Sequence, residues 1–210
     1  MKDRAVRIEA GAATLDGLLG GPSDANGIVL FAHGSGSGRF SPRNRYVADV
    51  LNEAGLATLL LDLLEEHESD DRRKVFDIDL LADRLLAATQ WVQRDAEMRT
   101  LRTGYFGAST GAGAALQAAA RMSSSVSAVV SRGGRPDLAD RYLESVTAPT
   151  LLIVGGLDEP VIEMNRTAYA SLKCAKEMIV VPGATHLFEE PATLEQVAEH
   201  AAAWFRRYLT

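Results

Sequence analysis

Short apolar runs and amphipathic stretches alternate along this chain of 210 residues. Unbroken apolar runs are typical of strands covered on both faces of a sheet, whereas apolar residues spaced three and four apart indicate helices with one buried face. The predicted strands are 28–32, 57–61, 128–131, 150–154 and 177–181, and the predicted helices are 44–54, 77–94, 161–172 and 193–208. This alternation predicts an α/β fold with a mostly parallel sheet and helices on both faces.

Other segments refine this prediction. Residues 5–10 and 14–19 flank Gly11 and predict an antiparallel hairpin at the amino terminus. The acidic run 65–71 is expected to be a solvated loop. The segment 132–149, with a short helix at 138–143, is too short for a large lid. Since no linker or internal repeat interrupts the chain, residues 1–210 are expected to form a single domain.

Composition narrows the classes of partner. The formal net charge of −6 argues against a large nucleic-acid interface. No apolar run approaches the roughly 18 residues of a membrane span, so no membrane partner is expected. The amino terminus, MKDRAVRIEA, is charged where a signal peptide is apolar, and Cys174 is the single cysteine. Both features fit a cytoplasmic protein. Monomer and homodimer stay open.

The segment 101–115, LRTGYFGASTGAGAA, changes from a strand pattern to a helix pattern at Gly107-Ala108-Ser109-Thr110-Gly111. A strand that turns into a helix within so few residues needs small neighbours around a strained turn residue, and glycine supplies them. The pattern therefore predicts a nucleophile elbow. Ser109 would stand at the carboxyl end of a strand, above a helix amino terminus whose partial positive charge stabilises an anion.

Two partners for Ser109 follow other predicted strands. A serine hydroxyl needs a base, and histidine serves best when a carboxylate fixes its tautomer. Asp158 and His186 follow in the order Ser…Asp…His. Asp158 could instead cap the helix near residue 161, and Glu159 and Asp137 are the other candidate acids. The four histidines lack metal-ligand spacing, so no metal is expected.

Backbone N–H groups are candidates for an oxyanion hole. One would belong to Thr110, and the other to Ser35 in the loop His33-Gly34-Ser35-Gly36, with Gly36 as the alternative. His33 is expected to support this loop.

Arg132 is a candidate for gripping a substrate carboxylate, and Gly36 for contacting substrate. The alternative for Arg132 and Arg135 is pairing with Asp137, Asp140 or loop carbonyls, and Arg43 and Arg45 begin a helix close to this loop.

Five segments together resemble the dienelactone hydrolase-like branch of the α/β-hydrolase superfamily: HGSGSGRFSPRNRYVADVL, GYFGASTGAGAAL, VVSRGGRPDL, LLIVGGLDEPVI and ATHLFEEP. The resemblance implies the α/β-hydrolase fold, a Ser109/Asp158/His186 site and hydrolysis of small esters or lactones without metal or organic cofactor. Dienelactone hydrolases proper have a cysteine nucleophile where this elbow has Ser109, which favours general carboxylesterase activity.

The sequence thus predicts a serine hydrolase that forms an acyl-enzyme with a small ester or lactone. One alternative is a nucleotide-binding Rossmann-like protein, since glycine loops in α/β sheets suit both functions. Against it, Arg39 stands where a third glycine of G-x-G-x-x-G belongs, and no P-loop pattern occurs. The other alternative is a catalytically silent binding member of the hydrolase fold.

Overall fold

The computed structural model describes residues 4–210, so the first three residues of the charged amino-terminal stretch lie outside it. Within this range eight strands form one sheet, in the order β1-β2-β4-β3-β5-β6-β7-β8. The strands are β1 (Arg4–Ala10), β2 (Ala13–Gly20), β3 (Gly27–Ala32), β4 (Ala57–Leu61), β5 (Arg102–Ala108), β6 (Val126–Arg132), β7 (Thr150–Gly155) and β8 (Lys176–Val181). Strands β3 to β8 run parallel, which confirms the predicted α/β architecture.

The two amino-terminal strands form the expected antiparallel hairpin, with Ile8 opposite Leu15. Gly11 lies in the turn with a φ of +67°, a conformation that glycine adopts without a steric penalty. The second strand continues the sheet by pairing antiparallel with β4. The hairpin therefore extends one edge of the parallel sheet, away from the strand that carries Ser109.

Helices cover both faces of the sheet. They are α1 (Pro42–Glu53), α2 (Arg72–Val75), α3 (Ile78–Arg94), α4 (Thr110–Arg121), α5 (Glu159–Ser171) and α6 (Thr193–Leu209), with short 3₁₀ segments at Glu66–Glu68 and Pro136–Ser145. Buried residues of α3 and α4 form the core of one face with alternate strand residues, and α1 and α6 form the core of the other. None of these helices is long and apolar enough to cross a membrane.

The central strands are apolar throughout because both of their faces are covered. Leu30 of β3 belongs to the core beneath α3 and α4, whereas its neighbour Phe31 belongs to the core beneath α1 and α6. The ring of Phe31 packs against Phe106 of β5 with centroids 4.9 Å apart. Burial on two sides explains why these strands lack the polar alternation of a half-exposed sheet.

The expectation of a solvated acidic loop at 65–71 is wrong for Glu68. This side chain is buried beneath the loop, with both oxygens bonded to Arg84 of α3 and one also bonded to Lys74. Arg84 is buried as well and also donates to the carbonyl of Leu63. An internal ion pair therefore anchors this loop to α3.

The connection between β6 and β7 is compact, as its length predicts. It holds the 3₁₀ segment Pro136–Ser145 rather than an α-helix, interrupted at Asp140, where φ is +25°. This segment packs against α4 and α5. No large lid is inserted there, so the carboxyl ends of the strands stay open.

Candidate active site

The elbow between β5 and α4 holds Ser109 in a strained backbone conformation. Its φ of +50° and ψ of −122° lie in a region that residues other than glycine rarely adopt, and such backbone outliers cluster at functional sites. The two flanking positions must be glycine because neighbouring backbone atoms leave no room for a Cβ. A Cβ on Gly107 would lie 2.5 Å from Cα of Ala112, and a Cβ on Gly111 would collide with the carbonyl oxygen of Ala32. The G-x-S-x-G spacing therefore follows from close backbone packing.

Asp158 and His186 meet at the carboxyl ends of β7 and β8. Nδ1 of His186 lies 2.7 Å from Oδ2 of Asp158. Asp158 precedes the first residue of α5, but its side chain makes no capping hydrogen bond to that helix. Its neighbour Glu159 is exposed. The carboxylate is thus bonded to the histidine ring instead of to the helix.

The segment after β6 joins the elbow to the loop that follows β8 and carries His186, which is called the histidine loop below. The N–H of Ser109 donates to the carbonyl of Arg132, and the N–H of Arg135 donates to the carbonyl of Ser109. Between them Gly133 has a φ of +49°, and a Cβ there would lie 3.1 Å from the carbonyl oxygen of His186. Residues 132–135 therefore hold the serine and the histidine loop side by side.

The loop after β3 crosses directly over the elbow. A Cβ on Gly34 would lie 2.9 Å from Cβ of Ser109, so only glycine permits this approach. Ser35 and Gly36 follow, and with Thr110 they line a cavity of about 970 Å³. Thr110 is the first residue of α4, and its N–H therefore has no acceptor within the helix. The candidate oxyanion donors thus border one cavity.

Buried His33 fixes the conformation of this loop. The N–H of Leu63 donates to its Nε2 atom at 2.9 Å, which requires the ring proton to sit on Nδ1. That Nδ1 atom lies 2.9 Å from the carbonyl oxygen of Gly34 and donates to it. Burial lowers the pKa of His33 below its ordinary value, so the ring is neutral and joins the end of β4 to the loop.

The neighbouring arginines differ in their partners. Arg135 forms the pair with Asp137 that the sequence offered as the alternative, with 2.7 Å between Nη2 and Oδ2. The Asp137 carboxylate is therefore paired with Arg135, and the acid bonded to His186 is Asp158. Arg132 makes no such pair: its Nε and Nη1 atoms are enclosed and have no hydrogen-bond partner among residues 4–210. Arg43 of α1 bonds to Glu189 at 2.8 Å.

The family of this chain follows from its similarity to known proteins. A family model described as PET hydrolase-like matches residues 52–210. A dienelactone hydrolase from Anabaena variabilis is 56% identical, over all of this chain and 99% of that one, with a TM-score of 0.97. The chain belongs to the dienelactone hydrolase-like branch of the α/β-hydrolase superfamily, a group of ester-bond hydrolases.

Further relatives of this dienelactone hydrolase-like chain differ in length or in sequence. A relative from Mycobacterium tuberculosis, provisionally named a phosphoribosyl transferase, is 57% identical over 209 residues. The alignment covers 100% of this chain but 47% of that relative, so the chain spans about half of its length. A serine hydrolase without a lid from Xanthomonas campestris shares the fold at 22% identity and a TM-score of 0.80, over 100% of this chain and 96% of that one.

Sequence reasoning missed two residues that shape the histidine loop of this family member. Glu190 accepts hydrogen bonds from the N–H and the hydroxyl of Thr185, and the hydroxyl bond is the main cause that lowers the pKa of Glu190. Phe188 has a φ of +55° and is fully buried. Both residues lie in the segment ATHLFEEP that carries the family resemblance, and the spacing Thr-x-x-x-x-Glu around His186 was the signal available for Glu190.

One group of potential metal ligands occurs in the described part of the chain, formed by Glu65, His67 and Glu68. Both oxygens of Glu68 are already bonded to Arg84, and one is also bonded to Lys74. The positive charges of Arg84 and Lys74 oppose a cation there. We therefore assign no metal to these residues.

Proposed function

We propose that this chain is a serine hydrolase that cleaves small carboxylic esters or lactones through an acyl-enzyme. Ser109 is the nucleophile, His186 the general base and acid, and Asp158 the carboxylate that orients His186. The observation that carries the proposal is the strained Ser109 elbow, joined by residues 132–135 to a histidine whose Nδ1 lies 2.7 Å from Asp158. We also propose that residues 1–210 act as one hydrolase domain.

In the first half of the reaction, Oγ of Ser109 attacks the carbonyl carbon of the ester. Its proton passes to Nε2 of His186, and Asp158 stabilises the resulting imidazolium through Nδ1–H. The negative charge that develops on the carbonyl oxygen is stabilised by the backbone N–H groups of Thr110 and Ser35, with Gly36 as the alternative donor. Collapse of this intermediate breaks the ester bond, and His186 gives its proton to the leaving alcohol.

In the second half, water attacks the acyl-enzyme while His186 takes one of its protons. Collapse of the second tetrahedral intermediate releases the carboxylic acid and returns the proton to Ser109. The site needs no metal or organic cofactor for these steps. A lactone follows the same course, except that the alcohol stays attached to the acyl group.

The dienelactone hydrolase from Anabaena variabilis supports an ester or lactone substrate, because it matches this chain from end to end. The phosphoribosyl transferase name belongs to a relative of which this chain matches 47%. Because more than half of that relative lies outside the match, its name does not assign a transferase activity to this chain. The silent-member alternative is disfavoured by the retained Ser109, Asp158 and His186, and the nucleotide-binding alternative by an elbow that such a function would not need.

The test is hydrolysis of p-nitrophenyl acetate and butyrate by the wild type and by Ser109→Ala. The matched control is Ser124→Ala, since Ser124 is an exposed serine in the turn after α4. We expect hydrolysis by the wild type and the control, with loss in Ser109→Ala. Equal activity in all three proteins would refute Ser109 as the nucleophile, and a folded but inert wild type would favour the silent-member alternative.

A further inference from the structure

The cavity beside the candidate oxyanion donors is walled mainly by polar side chains. It extends from Gly34 and Ser35 to the hairpin of β1 and β2 and to the loop after β4. Among its lining residues, charged and hydroxyl-bearing side chains far outnumber large apolar ones. Ligand sites in proteins are usually lined by apolar and aromatic side chains with a few polar groups. The walls of this cavity therefore favour a polar occupant.

Interactions between the walls hold these polar groups in place. The guanidinium of Arg39 bonds to Asp62 after β4 and lies 3.4 Å from Oδ2 of Asp16 on β2. The N–H of Arg39 also donates to Asp62 at 2.6 Å. On the far side, the N–H of Thr14 donates to Glu65 at 3.2 Å and so ties the hairpin to the acidic loop. A ligand that binds groups already fixed in this way loses little free energy in ordering them.

The charges along the cavity suit a neutral group that carries several hydroxyls. Arg39 faces both Asp16 and Asp62, and carboxylates outnumber arginines among the lining residues, so an anion finds no excess of positive charge. The ion pairs of Asp16 are long, at 3.4 Å to Arg39 and 3.8 Å to Arg7, which leaves its oxygens free to accept hydrogen bonds. A hydroxyl both donates and accepts, so it can bond to carboxylate and guanidinium groups alike.

Two further side chains of the cavity have no role within the described residues. Phe40 is 61% exposed, with its ring centre 4.5 Å from the guanidinium carbon of Arg39. Thr110 is only 3% exposed, yet its hydroxyl has no hydrogen-bond partner among residues 4–210. A polyhydroxylated chain or ring has C–H groups that pack on an aromatic face and hydroxyls that bond to polar side chains. Such a ligand uses the aromatic ring and the polar walls together.

The position of the cavity indicates which part of the substrate enters it. No residue of the described histidine loop lines the cavity. The leaving oxygen must come within hydrogen-bond reach of His186, so the leaving group lies on the other side of the elbow. We propose that this polar cavity binds the polyhydroxylated acyl group of a sugar-acid ester or lactone. The inference rests on the proposed serine hydrolase function, and it narrows the substrates to neutral, hydroxyl-rich acyl groups.

The kinetic test compares two lactones with the same six-carbon skeleton, D-galactono-1,4-lactone and γ-caprolactone, which differ only in their hydroxyls. Each kcat/KM is divided by the rate constant for hydrolysis by hydroxide, so that intrinsic reactivity cancels. We expect the wild type to favour the hydroxylated lactone by about tenfold or more. Asp16→Ala and Phe40→Ala should each lower this preference several-fold. Arg39 and Asp62 are left intact because they also hold the loop of the oxyanion hole.

Matched controls exist outside the cavity. Asp24 is an exposed aspartate in the loop after β2, and Phe76 is a phenylalanine that is 47% exposed. Neither residue lines the cavity, so Asp24→Ala and Phe76→Ala should keep the wild-type preference. Equal losses in the controls and in the cavity variants would contradict the assignment. If Asp16→Ala does not fold, Asp16→Asn, which keeps the shape of the side chain, takes its place.

Binding measurements separate this proposal from the hydrolase itself. Titration calorimetry of Ser109→Ala should show binding of D-galactono-1,4-lactone and weaker binding after Asp16→Ala is added. Ester hydrolysis by the wild type without any preference for the hydroxylated lactone would overturn the subsite and leave the hydrolase intact. Lactone binding without any hydrolysis would overturn the hydrolase and retain the subsite. A preference confined to 6-O-acetylglucose over ethyl acetate would place the hydroxyls on the leaving alcohol and overturn the acyl assignment.

Discussion

Nδ1 of His186 lies 2.7 Å from Oδ2 of Asp158, although Asp158 occupies the residue before α5, where aspartate commonly caps a helix. The side chain makes no hydrogen bond to that helix. If Asp158 capped α5, its carboxylate would bond to the backbone of the helix and not to His186. The arrangement instead leaves the aspartate free to orient the histidine, as the proposed mechanism requires.

Asp158→Asn should lower kcat severely while the fold is retained. An amide in place of the carboxylate favours the wrong histidine tautomer, and the loss in comparable triads is about 10⁴-fold. Ester hydrolysis measured beside Asp137→Asn provides the check, because Asp137 pairs with Arg135 and not with His186. Equal effects of the two substitutions would contradict the role given to Asp158.

Gly34→Ala should damage catalysis more than stability. The added Cβ would lie 2.9 Å from Cβ of Ser109, so the loop with the Ser35 N–H must move away. Loss of one oxyanion donor lowers kcat by about 10²–10³-fold. Gly11→Ala is the comparison, since that site has a positive φ but open space, and it should cost about 1 kcal/mol of stability with unchanged kcat. Full activity of Gly34→Ala would exclude this loop from the oxyanion hole.

Glu68→Gln should destabilise the protein by about 3–5 kcal/mol, because it leaves Arg84 buried without its counter-ion. The double variant Glu68→Gln/Arg84→Met should recover part of this loss, which urea unfolding of both proteins measures. Additive losses would contradict a coupled pair.

The same pair predicts an acid-sensitive contribution to stability. Hydrogen bonding by Arg84 holds the pKa of Glu68 far below its ordinary value of 4.5. A depressed pKa in the folded state gives stability that is present above the unfolded pKa and is lost as the pH falls toward the folded one. The free energy of unfolding of the wild type should therefore fall more steeply below pH 4.5 than that of the double variant. Parallel pH profiles would count against the assignment.

His33 should make stability depend on pH in a higher range. Burial holds its pKa in the folded protein below the ordinary value of 6.5, so the unfolded chain binds a proton that the folded protein does not. The free energy of unfolding should fall as the pH drops below 6.5, and His33→Gln should flatten this slope. An identical slope in the wild type and in His33→Gln would refute a buried neutral His33.

The sequence was informative where local packing sets the residue type. Strands covered on both faces are apolar without interruption, so β3 and β4 were predicted to within a residue of their bounds. The elbow was readable because Gly107 and Gly111 have no room for a side chain. Both features leave their signal within a few neighbouring residues.

Features set by distant partners left no such signal. The sequence places Glu68 among solvated acidic residues because its partner, Arg84, lies 16 residues further along the chain. Arg132 and Arg135 stand in nearly the same local sequence, yet one is enclosed at the end of β6 and the other pairs with Asp137. Whether an arginine is enclosed at the end of β6 or pairs with a carboxylate depends on tertiary packing that the local sequence does not reveal.

Covalent trapping with a fluorophosphonate shows directly whether Ser109 is the nucleophile. The wild type is treated with a fluorophosphonate, and the modified residue is located by peptide mass spectrometry, with Ser109→Ala and His186→Ala treated in parallel. We expect one adduct, on Ser109, no adduct in Ser109→Ala, and much slower labelling in His186→Ala because the base is missing. Labelling of a different serine, or ester hydrolysis by a wild type that stays unlabelled, would rule out Ser109 as the nucleophile.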